Sequence, residues 1–350
     1  MNKIFKAFNS KNINIGYLFF IIHFITEILC FYYLESIKVG EIFFWIVPMV
    51  YDCLAFVPQG LFGVIFDKYR KVNSNLIGSI ILIIGFSLLF IIPSMSIYIS
   101  LFILCIGNCV IHISGAERTL RLSNGKMAHS SIFVAGGSFG VITGKILIDY
   151  LNYKLIILIG LLLIPLSLLV NKYNIEEKTC EDFNYHNDKK SVAFVIVLAV
   201  FVVAIRGYIG YGIPSSWNKT MFEAFLLYSF MGIGKAMGGI LIDSIGIKKT
   251  IFISTIVSLP FLCFGDKIMI LSLIGVMFFS MTMAITLAII VSCIKDSPGI
   301  AFGFTTIGLF LGTMPVFFVS IKNISYSIIL LITIGIIAFI ILNGIAKENK

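Results

Sequence analysis

Charge is what this sequence has least of. Asp, Glu, Lys and Arg together make up 12% of its 350 residues, whereas they make up about 25% of an average soluble protein. Hydrophobic residues account for 59%, and the mean hydropathy is +1.04. This composition excludes an ordinary soluble domain, because so few polar side chains could not cover its surface. It places the chain in a lipid bilayer.

The motifs of soluble enzymes are missing as well. There is no Walker motif, no dinucleotide fingerprint and no Ser, His and Asp set outside the apolar runs. The seven cysteines are scattered, mostly within apolar runs, and do not form a disulfide framework. The net charge of +9 does not indicate nucleic acid, because the basic residues occupy short loops. We therefore expect no enzymatic activity, no cofactor and no nucleic-acid partner.

Long apolar runs are abundant. A bilayer core about 30 Å thick needs roughly 20 apolar residues per helix. Twelve such runs can be placed in the chain, six on each side of a polar stretch. We predict an all-α polytopic membrane protein with two six-helix halves, 1–171 and 191–350, joined by a cytoplasmic linker, 172–190. The predicted spans are 13–35, 42–66, 74–94, 97–117, 128–149, 153–171, 191–213, 221–242, 250–265, 268–294, 299–320 and 324–346.

Basic residues set the expected orientation, because Lys and Arg concentrate on the cytoplasmic side of a membrane. With the N-terminus inside, most of the 26 Lys and Arg residues fall on the inner side. We therefore expect both termini in the cytoplasm and the protein in a plasma membrane of bacterial type. The outer loops hold only Lys38, Lys154, Lys219, Lys267 and Lys322.

One short motif occurs in both halves. Gly63, Asp67 and Lys68 stand at the end of the second predicted span, and Gly239 and Asp243 stand at the end of the eighth. Each copy has a Gly, an Asp four residues later and then a basic cluster. Six plus six helices around a linker, with such a repeat, is a layout of transporters built from parallel repeats. In these features the chain resembles the major facilitator superfamily.

The resemblance implies a secondary transporter that works by alternating access. It also implies a charge network of Asp67, Glu117 and Arg118 that holds the cytoplasmic side shut and breaks on opening. The first copy departs from the family pattern at Arg70, where members usually have Gly. The predicted cytoplasmic gate consists of Gly63, Asp67, Lys68, Glu117, Arg118, Gly239 and Asp243.

A glycine series in the fifth span has two interpretations. Gly136, Gly140 and Gly144 partly match the fifth-helix motif of antiporter members, but Val141 replaces its Pro and Lys145 its last Gly. The other interpretation, which we favour, is close helix packing. The partial match to the antiporter motif is the only feature that favours export by antiport over import.

Ionisable residues at bilayer depth cost about 2.5–3.5 kcal/mol or more on insertion scales, so they indicate function. His23 and Glu27 are four residues apart and share one face of the first span. The pair resembles the His-x3-Asp of the fosmidomycin-resistance-like group. We predict that Glu27 carries a coupling proton and His23 relays it; the alternative is a helix-to-helix hydrogen bond. Asp52 is a second proton carrier, or else a structural partner of Lys145 or Arg206.

Other deep polar residues are assigned to the solute. Arg206 offers bidentate donors to a carboxylate or phosphate, and the alternative is a salt bridge to Glu27 or Asp52. Lys235 lies in the inner half of its helix, where gating is the alternative. His112 stands near Cys105 and Cys109, but that ligand set is incomplete and we expect no metal. The predicted solute-binding residues are Arg206, His112, Asn108, Gln59, Tyr211 and Lys235.

The sequence thus predicts a monomeric, proton-coupled transporter of a small organic solute, anionic or zwitterionic. Two other functions stay open. One is a membrane sensor or assembly protein that keeps the fold without transporting. The other is an intramembrane lipid-handling protein or enzyme, in which His23, Glu27 and His112 would open laterally to lipid.

Overall fold

The computed structural model describes residues 13–37, 43–92, 97–173, 175, 180–318 and 324–348. Within these residues the chain forms twelve helical segments and no β-sheet. Eleven are helices long and apolar enough to cross a bilayer. The other, 247–263, is shorter and contains a turn of π-helix. The prediction of an all-α polytopic fold in two halves is confirmed.

The segments are numbered in chain order. They are α1 (Ile13–Ser36), α2 (Phe43–Phe56 and Gln59–Lys68), α3 (Ser74–Ile91), α4 (Ile97–Arg121), α5 (Ala128–Leu147), α6 (Tyr153–Leu161 and Leu163–Val170), α7 (Val192–Gly210), α8 (Met221–Ile245), α9 (Ile247–Phe252, the π-turn Ile253–Val257 and Ser258–Cys263), α10 (Met269–Ser280 and Thr282–Cys293), α11 (Pro298–Thr313, then the 3-10 turn Met314–Phe317) and α12 (Ile324–Ile345).

Polar side chains determine where several helices begin. The side chains of Asn73 and Asn152 accept hydrogen bonds from backbone N–H groups in the first turns of α3 and α6. Thr220 and Glu223 form a reciprocal capping box at the start of α8. These residues satisfy N–H groups that have no partner within the helix. The helix starts are therefore fixed by local sequence.

Glycine sets the spacing between α1 and α5. A Cβ at Gly144 would lie 2.7 Å from the backbone oxygen of Ile28, and one at Gly140 would lie 2.7 Å from the Cβ of Glu27. Gly136 faces the backbone of Phe20 in the same way. The helices can approach this closely only because these positions lack side chains. The packing interpretation of the glycine series is confirmed.

The two halves meet along two helix pairs. In one, α5 of the first half packs against α8 of the second; in the other, α2 packs against α11. The two pairs are equivalent by symmetry. In each pair, the second helix of one half packs against the fifth helix of the other half. The repeated motif lies at the ends of α2 and α8 and therefore on both contacts.

The last residues of the linker lie against both halves. The Tyr185 backbone N–H donates to Ser292 Oγ of α10 (2.9 Å), and its hydroxyl donates to the backbone oxygen of Gly125 (3.3 Å). His186 pairs with Ala346 in a single β-bridge just after α12. Lys347 forms an ion pair with Asp188. The linker therefore packs against the side of the molecule that carries the repeated motif.

Candidate functional site

Asp67 binds the N-terminus of α11 on this side of the molecule. Its carboxylate accepts hydrogen bonds from the backbone N–H groups of Gly299 (3.1 Å) and Ile300 (3.0 Å) in the first turn. A helix N-terminus has free donors and a partial positive charge, so it stabilises a carboxylate. Gly63 lies against the same turn, since a Cβ there would come within 2.6 Å of the Gly299 carbonyl carbon. The first motif copy therefore clamps α2 to α11.

Asp243 makes the equivalent contact in the opposite sense. Its carboxylate accepts from the backbone N–H groups of Met127 and Ala128, both at 2.9 Å, where α5 begins. A Cβ at Gly239 would lie 2.6 Å from the Met127 backbone oxygen. Each half thus holds the fifth helix of the other by its N-terminus.

Arg121 completes the first clamp. Its Nη2 donates to Asp67 Oδ1 (3.1 Å) and to the backbone oxygen of Asp296 (3.0 Å), and its Nε donates to Glu117 Oε1 (3.1 Å). The Arg121 side chain is fully buried. The network of Asp67, Glu117 and Arg121 therefore joins α2, α4 and the loop before α11.

Two residues predicted in the gate lie outside this network. Arg118 donates to the backbone oxygen of Tyr173 (3.4 Å), and the ion pairs with Asp67 and Glu117 are made by Arg121. Arg121 follows Glu117 by four residues and shares its helix face, whereas Arg118 is adjacent to Glu117 and faces another way. Lys68 is exposed, with Nζ 5.5 Å from the ring centroid of Tyr69.

Within the first half, two histidines converge on one carboxylate. Nε2 of His23 lies 3.7 Å from Glu27 Oε1, and Nε2 of His112 lies 3.4 Å from the same oxygen. The two imidazole rings meet edge to face at 4.3 Å. All three residues are 5% exposed. The predicted pair in α1 therefore has a third member in α4, a histidine that the sequence alone assigns to the solute.

The other ring nitrogens of these histidines contact backbone carbonyls. Nδ1 of His23 lies 2.9 Å from the backbone oxygen of Phe133, and Nδ1 of His112 lies 2.9 Å from that of Asn108. A carbonyl oxygen can only accept, so each Nδ1 donates. In its neutral form each ring then presents the lone pair of Nε2 towards Glu27.

Asn108 and Tyr51 hold the carboxylate in place. Asn108 Nδ2 donates to Glu27 Oε1 (3.1 Å) and to Tyr51 Oη (3.0 Å). The Tyr51 hydroxyl donates to Glu27 Oε2 at 3.5 Å, and Asn108 Nδ2 also lies 3.1 Å from Cys30 Sγ. Three helices, α1, α2 and α4, thus supply one buried polar cluster.

Asp52 lies near this cluster without joining it. The side chain is half-buried in α2, and the structure records no ion pair for it among the described residues. Arg206 contacts backbone oxygens instead, and Lys145 Nζ lies over the rings of Phe31 (5.5 Å) and Tyr228 (5.8 Å). The alternative of a permanent ion pair with Lys145 or Arg206 is therefore not observed.

Two predicted solute-binding residues lie apart from the cluster. Gln59 is buried where α2 resumes, and its Nε2 donates to the backbone oxygen of Ala55 (2.8 Å). Tyr211 is 64% exposed, just after α7 ends. Neither residue is recorded in contact with the histidines.

Arg206 is buried inside the second half. Its Nη2 donates to the backbone oxygens of Ser254 (3.0 Å) and Phe279 (2.9 Å), and its guanidinium carbon lies 3.7 Å from the Phe279 ring centroid. Ser254 lies in the π-turn of α9, and Phe279 precedes the interruption in α10. Arg206 is thus a second donor to two carbonyls at these irregular turns, which also accept hydrogen bonds from the hydroxyls of Ser258 (2.8 Å) and Thr282 (2.9 Å). It contacts neither Glu27 nor Asp52.

A small cavity of about 10 Å³, room for about one water molecule, lies between the halves. Ser130 and Ser131 of α5, Lys235 of α8 and Thr305 of α11 line it, together with apolar residues such as Phe302. The serine hydroxyls have no hydrogen-bond partner among the described residues. No ion pair is recorded for Lys235 in the part of the chain that the structure describes. The cavity thus combines one cation with free hydroxyls.

Sequence reasoning missed Arg121, Tyr51 and the serine pair. The spacing of four between Glu117 and Arg121 could have identified the first. Tyr51 precedes Asp52 in an apolar run, and Ser130 and Ser131 read as ordinary small residues of a helix. No local sequence pattern distinguishes Tyr51, Ser130 and Ser131, because their contacts depend on which helices pack next to one another.

No protein-family model and no curated protein matches the sequence. Solved structures do match. The human organic anion transporter MFSD10 (TETRAN) is 11% identical over 95% of this chain and 100% of its own, with a TM-score of 0.67. The protein has the major facilitator fold. A single-residue variant of the E. coli fucose:proton symporter FucP aligns over 95% of this chain and 97% of its own, with 14% identity and a TM-score of 0.66.

A further FucP structure, described as being in the outward conformation, is 15% identical over 97% of this chain and 99% of its own, with a TM-score of 0.59. At these identities the likeness concerns the fold alone. Because the alignments cover nearly the whole chain, the major facilitator fold accounts for both halves. The protein is therefore a multi-pass membrane protein with this architecture.

Proposed function

We propose that this protein is a secondary active transporter that moves a small anionic organic solute by alternating access, coupled to protons. The observation that carries the proposal is the cavity at Lys235. It lies between the two halves, where rocking of one half against the other exposes a site to each side in turn. The similar folds of a fucose:proton symporter and an organic anion transporter support this function.

The chemistry of the cavity favours a carboxylate or phosphate. An ammonium group forms charge-assisted hydrogen bonds with such an anion, and the free hydroxyls of Ser130 and Ser131 can donate to its remaining oxygens. In this state the cavity has about 10 Å³ of free volume, room for about one water molecule, so it must widen around Lys235 and Phe302 to admit an organic solute. Lys235 replaces Arg206 as the main anion ligand in this proposal, because Arg206 is engaged with backbone oxygens.

The clamps of Asp67 and Asp243 supply the two-state element that alternating access requires. Both bind helix N-termini across the interface on one side, so that side is closed in this structure. A solute or proton moves the equilibrium only by favouring one state over the other. We propose that this side is the cytoplasmic one, as the distribution of basic residues predicts.

Asp52 is the proton carrier that we propose. Its carboxylate is half-buried and has no recorded ion pair among the described residues, so it is free to exchange a proton. It stands in α2, the helix that ends in the Asp67 clamp, and its charge can therefore influence the gate through one element. Glu27 and His23 are held in the hydrogen-bonded cluster. Export remains a prediction that only the partial glycine motif favours.

Transport by purified protein in proteoliposomes tests the site. With a pH gradient and a panel of small carboxylates and organic phosphates, the wild type should transport at least one solute. Lys235→Met should reduce its transport at least tenfold, whereas Lys235→Arg should retain part of it. Lys154→Met, at an exposed position on α6, is the matched control and should leave transport unchanged.

Asp52→Asn tests the coupling separately. This variant should still exchange labelled solute across the membrane without a gradient, but a pH gradient should no longer drive accumulation. Unchanged pH-driven accumulation would exclude Asp52 as the carrier. If the wild type transports none of a broad panel, the sensor or assembly function becomes the better explanation of the fold.

A further inference from the structure

We propose that His23, Glu27 and His112 bind one divalent transition-metal ion of the Zn²⁺ type. The site goes beyond the proposed transport function and does not depend on it. The two Nε2 atoms and a carboxylate oxygen all lie within 4.8 Å of one another, and all three residues are buried. No similar group of three is found elsewhere in the described residues.

The spacing of these atoms fits a metal better than a direct hydrogen bond. Ligands at about 2.0–2.1 Å from a tetrahedral Zn²⁺ lie roughly 3.3 Å from one another. The nitrogen-to-oxygen distances here are 3.4 and 3.7 Å. A charge-assisted hydrogen bond between the same atoms would be about 2.7–2.9 Å long. Movements of a few tenths of an ångström therefore bring each Nε2 and the carboxylate oxygen to ligand spacing, and the two Nε2 atoms, which lie within 4.8 Å of each other, would close on the ion from either side.

The orientation of the rings points the same way. Each Nδ1 donates to a backbone carbonyl at 2.9 Å, so each neutral ring presents an Nε2 lone pair to the carboxylate. Three acceptors that face one another repel unless a cation lies between them. Histidine ligands of metals characteristically donate their other N–H to a carbonyl or carboxylate, which fixes the tautomer and the ring.

The surroundings of Glu27 supply the rest of a metal site. Asn108 and Tyr51 orient the carboxylate, as outer partners do for ligating carboxylates. Gly137 leaves room for the His23 ring, since a Cβ there would lie 2.5 Å from Nε2. The three ligands leave a fourth position for water or for a solute.

Ligand type indicates the class of metal. Two imidazoles and one carboxylate suit Zn²⁺, Fe²⁺, Ni²⁺ or Cu²⁺, whereas Mg²⁺ and Ca²⁺ prefer oxygen ligands. Cys105 and Cys109 stand near His112 in the sequence but are not part of this group. The other two ligands are His23 and Glu27. Lys235 lies near enough for its charge to act on His112, and it opposes a cation.

The test uses the purified full-length protein in detergent after removal of metals with a chelator. Zn²⁺ titration by calorimetry should show one ion bound per chain. His23→Gln, His112→Gln and Glu27→Gln should each weaken binding at least tenfold. His186→Gln, at a histidine of the linker, is the matched control and should bind like the wild type. Equal binding by all the variants would overturn the proposal.

Two measurements protect the test against misfolded variants. X-ray absorption of the Zn²⁺-loaded wild type should show two imidazole ligands, and any other ligand set would overturn the proposal. Gly137→Ala changes no ligand but displaces the His23 ring, so it should also weaken binding. Histidine protonation without Zn²⁺ binding would overturn the metal site and assign the cluster to protons only. Neither outcome alters the solute transport assay, so the two proposals can fail separately.

Discussion

The two halves of this protein are alike at their clamps and different in their interiors. Asp67 and Asp243 make the same contact with a helix N-terminus of the opposite half. In the interior, the first half carries a convergent cluster around Glu27, whereas the second half carries Arg206, which contacts backbone oxygens. The contacts that clamp the halves together are therefore of one kind, whereas the polar groups of the two interiors differ.

The difference follows from the regularity of the particular helices that carry Glu27 and His112 on one side and surround Arg206 on the other. In the first half α1 and α4 are continuous through the cluster, so the backbone groups there are satisfied and side chains are free to face one another. In the second half α9 contains a π-turn and α10 is interrupted. Arg206 donates to carbonyls at these irregularities, alongside the hydroxyls of Ser258 and Thr282. We infer that the first interior is built for a ligand and the second for stability.

The largest effect is expected from Arg206→Ala. It removes two hydrogen bonds from a charged donor, at about 1.5–3 kcal/mol each, although the carbonyls of Ser254 and Phe279 keep the hydroxyls of Ser258 and Thr282 as donors. It also leaves a cavity. Thermal unfolding in detergent should show a loss of about 3 kcal/mol or more. Arg206→Met, which fills the space, should lose less. Where the variants fold, Zn²⁺ binding by the first half should be unchanged.

Arg118→Ala is the control for this comparison. Arg118 is also buried but has one longer hydrogen bond, of 3.4 Å, to Tyr173. Its loss of stability should be smaller. An Arg206→Met protein at least as stable as the wild type would show that the cost of burying the charge exceeds the value of its hydrogen bonds. The structural role given to the second interior would then be wrong.

The clamps should give a smaller effect that is unequal between the halves. A carboxylate at a helix N-terminus contributes about 0.3–2 kcal/mol, and Asp67 also pairs with the buried Arg121. Asp67→Asn should therefore open the clamped side more than Asp243→Asn. Distance measurements between spin labels on the two halves would report the populations, with about 1.4 kcal/mol for each tenfold change. Equal effects would show that Arg121 adds nothing to the clamp.

The sequence predicts the fold and the two clamp aspartates, Asp67 and Asp243, because these depend on local patterns. Apolar runs, the distribution of Lys and Arg and a motif repeated at a Gly and an Asp are all readable along the chain. The pairing of His23 with Glu27 is also readable, as a spacing of four. The approach of His112 and Tyr51 to Glu27 is not, because it depends on how α1, α2 and α4 dock. Sequence reasoning assigns Arg206 to a solute because a π-turn and a helix break leave no sequence pattern.

The smallest effect concerns the linker that joins the halves. Burial lowers the pKa of His186, opposed by Asp188 Oδ1 at 3.5 Å and assisted by the charges of Lys295 and Lys347. A released linker would bind a proton at the ordinary value of about 6.5. The docked linker is therefore most stable above about pH 6.5. Below that value the released linker binds a proton more readily than the docked one, so docking weakens as the pH falls. The lowered pKa of Asp188, due to its hydrogen bond from Lys347, matters only below about pH 4.

Cys180 offers a way to measure this release. The thiol lies in the linker, is 1% exposed, and burial raises its pKa to about 12. Its labelling by a disulfide reagent that reacts below pH 7, resolved from the other cysteines by mass spectrometry, should increase a few-fold between about pH 7.5 and 5.5, the range that spans the ordinary histidine pKa. In His186→Gln, whose side chain does not titrate, the increase should disappear. If that variant keeps the same pH dependence, a group other than His186 controls the release of the linker. The clamp carboxylates of Asp67 and Asp243 would then be the next groups to substitute.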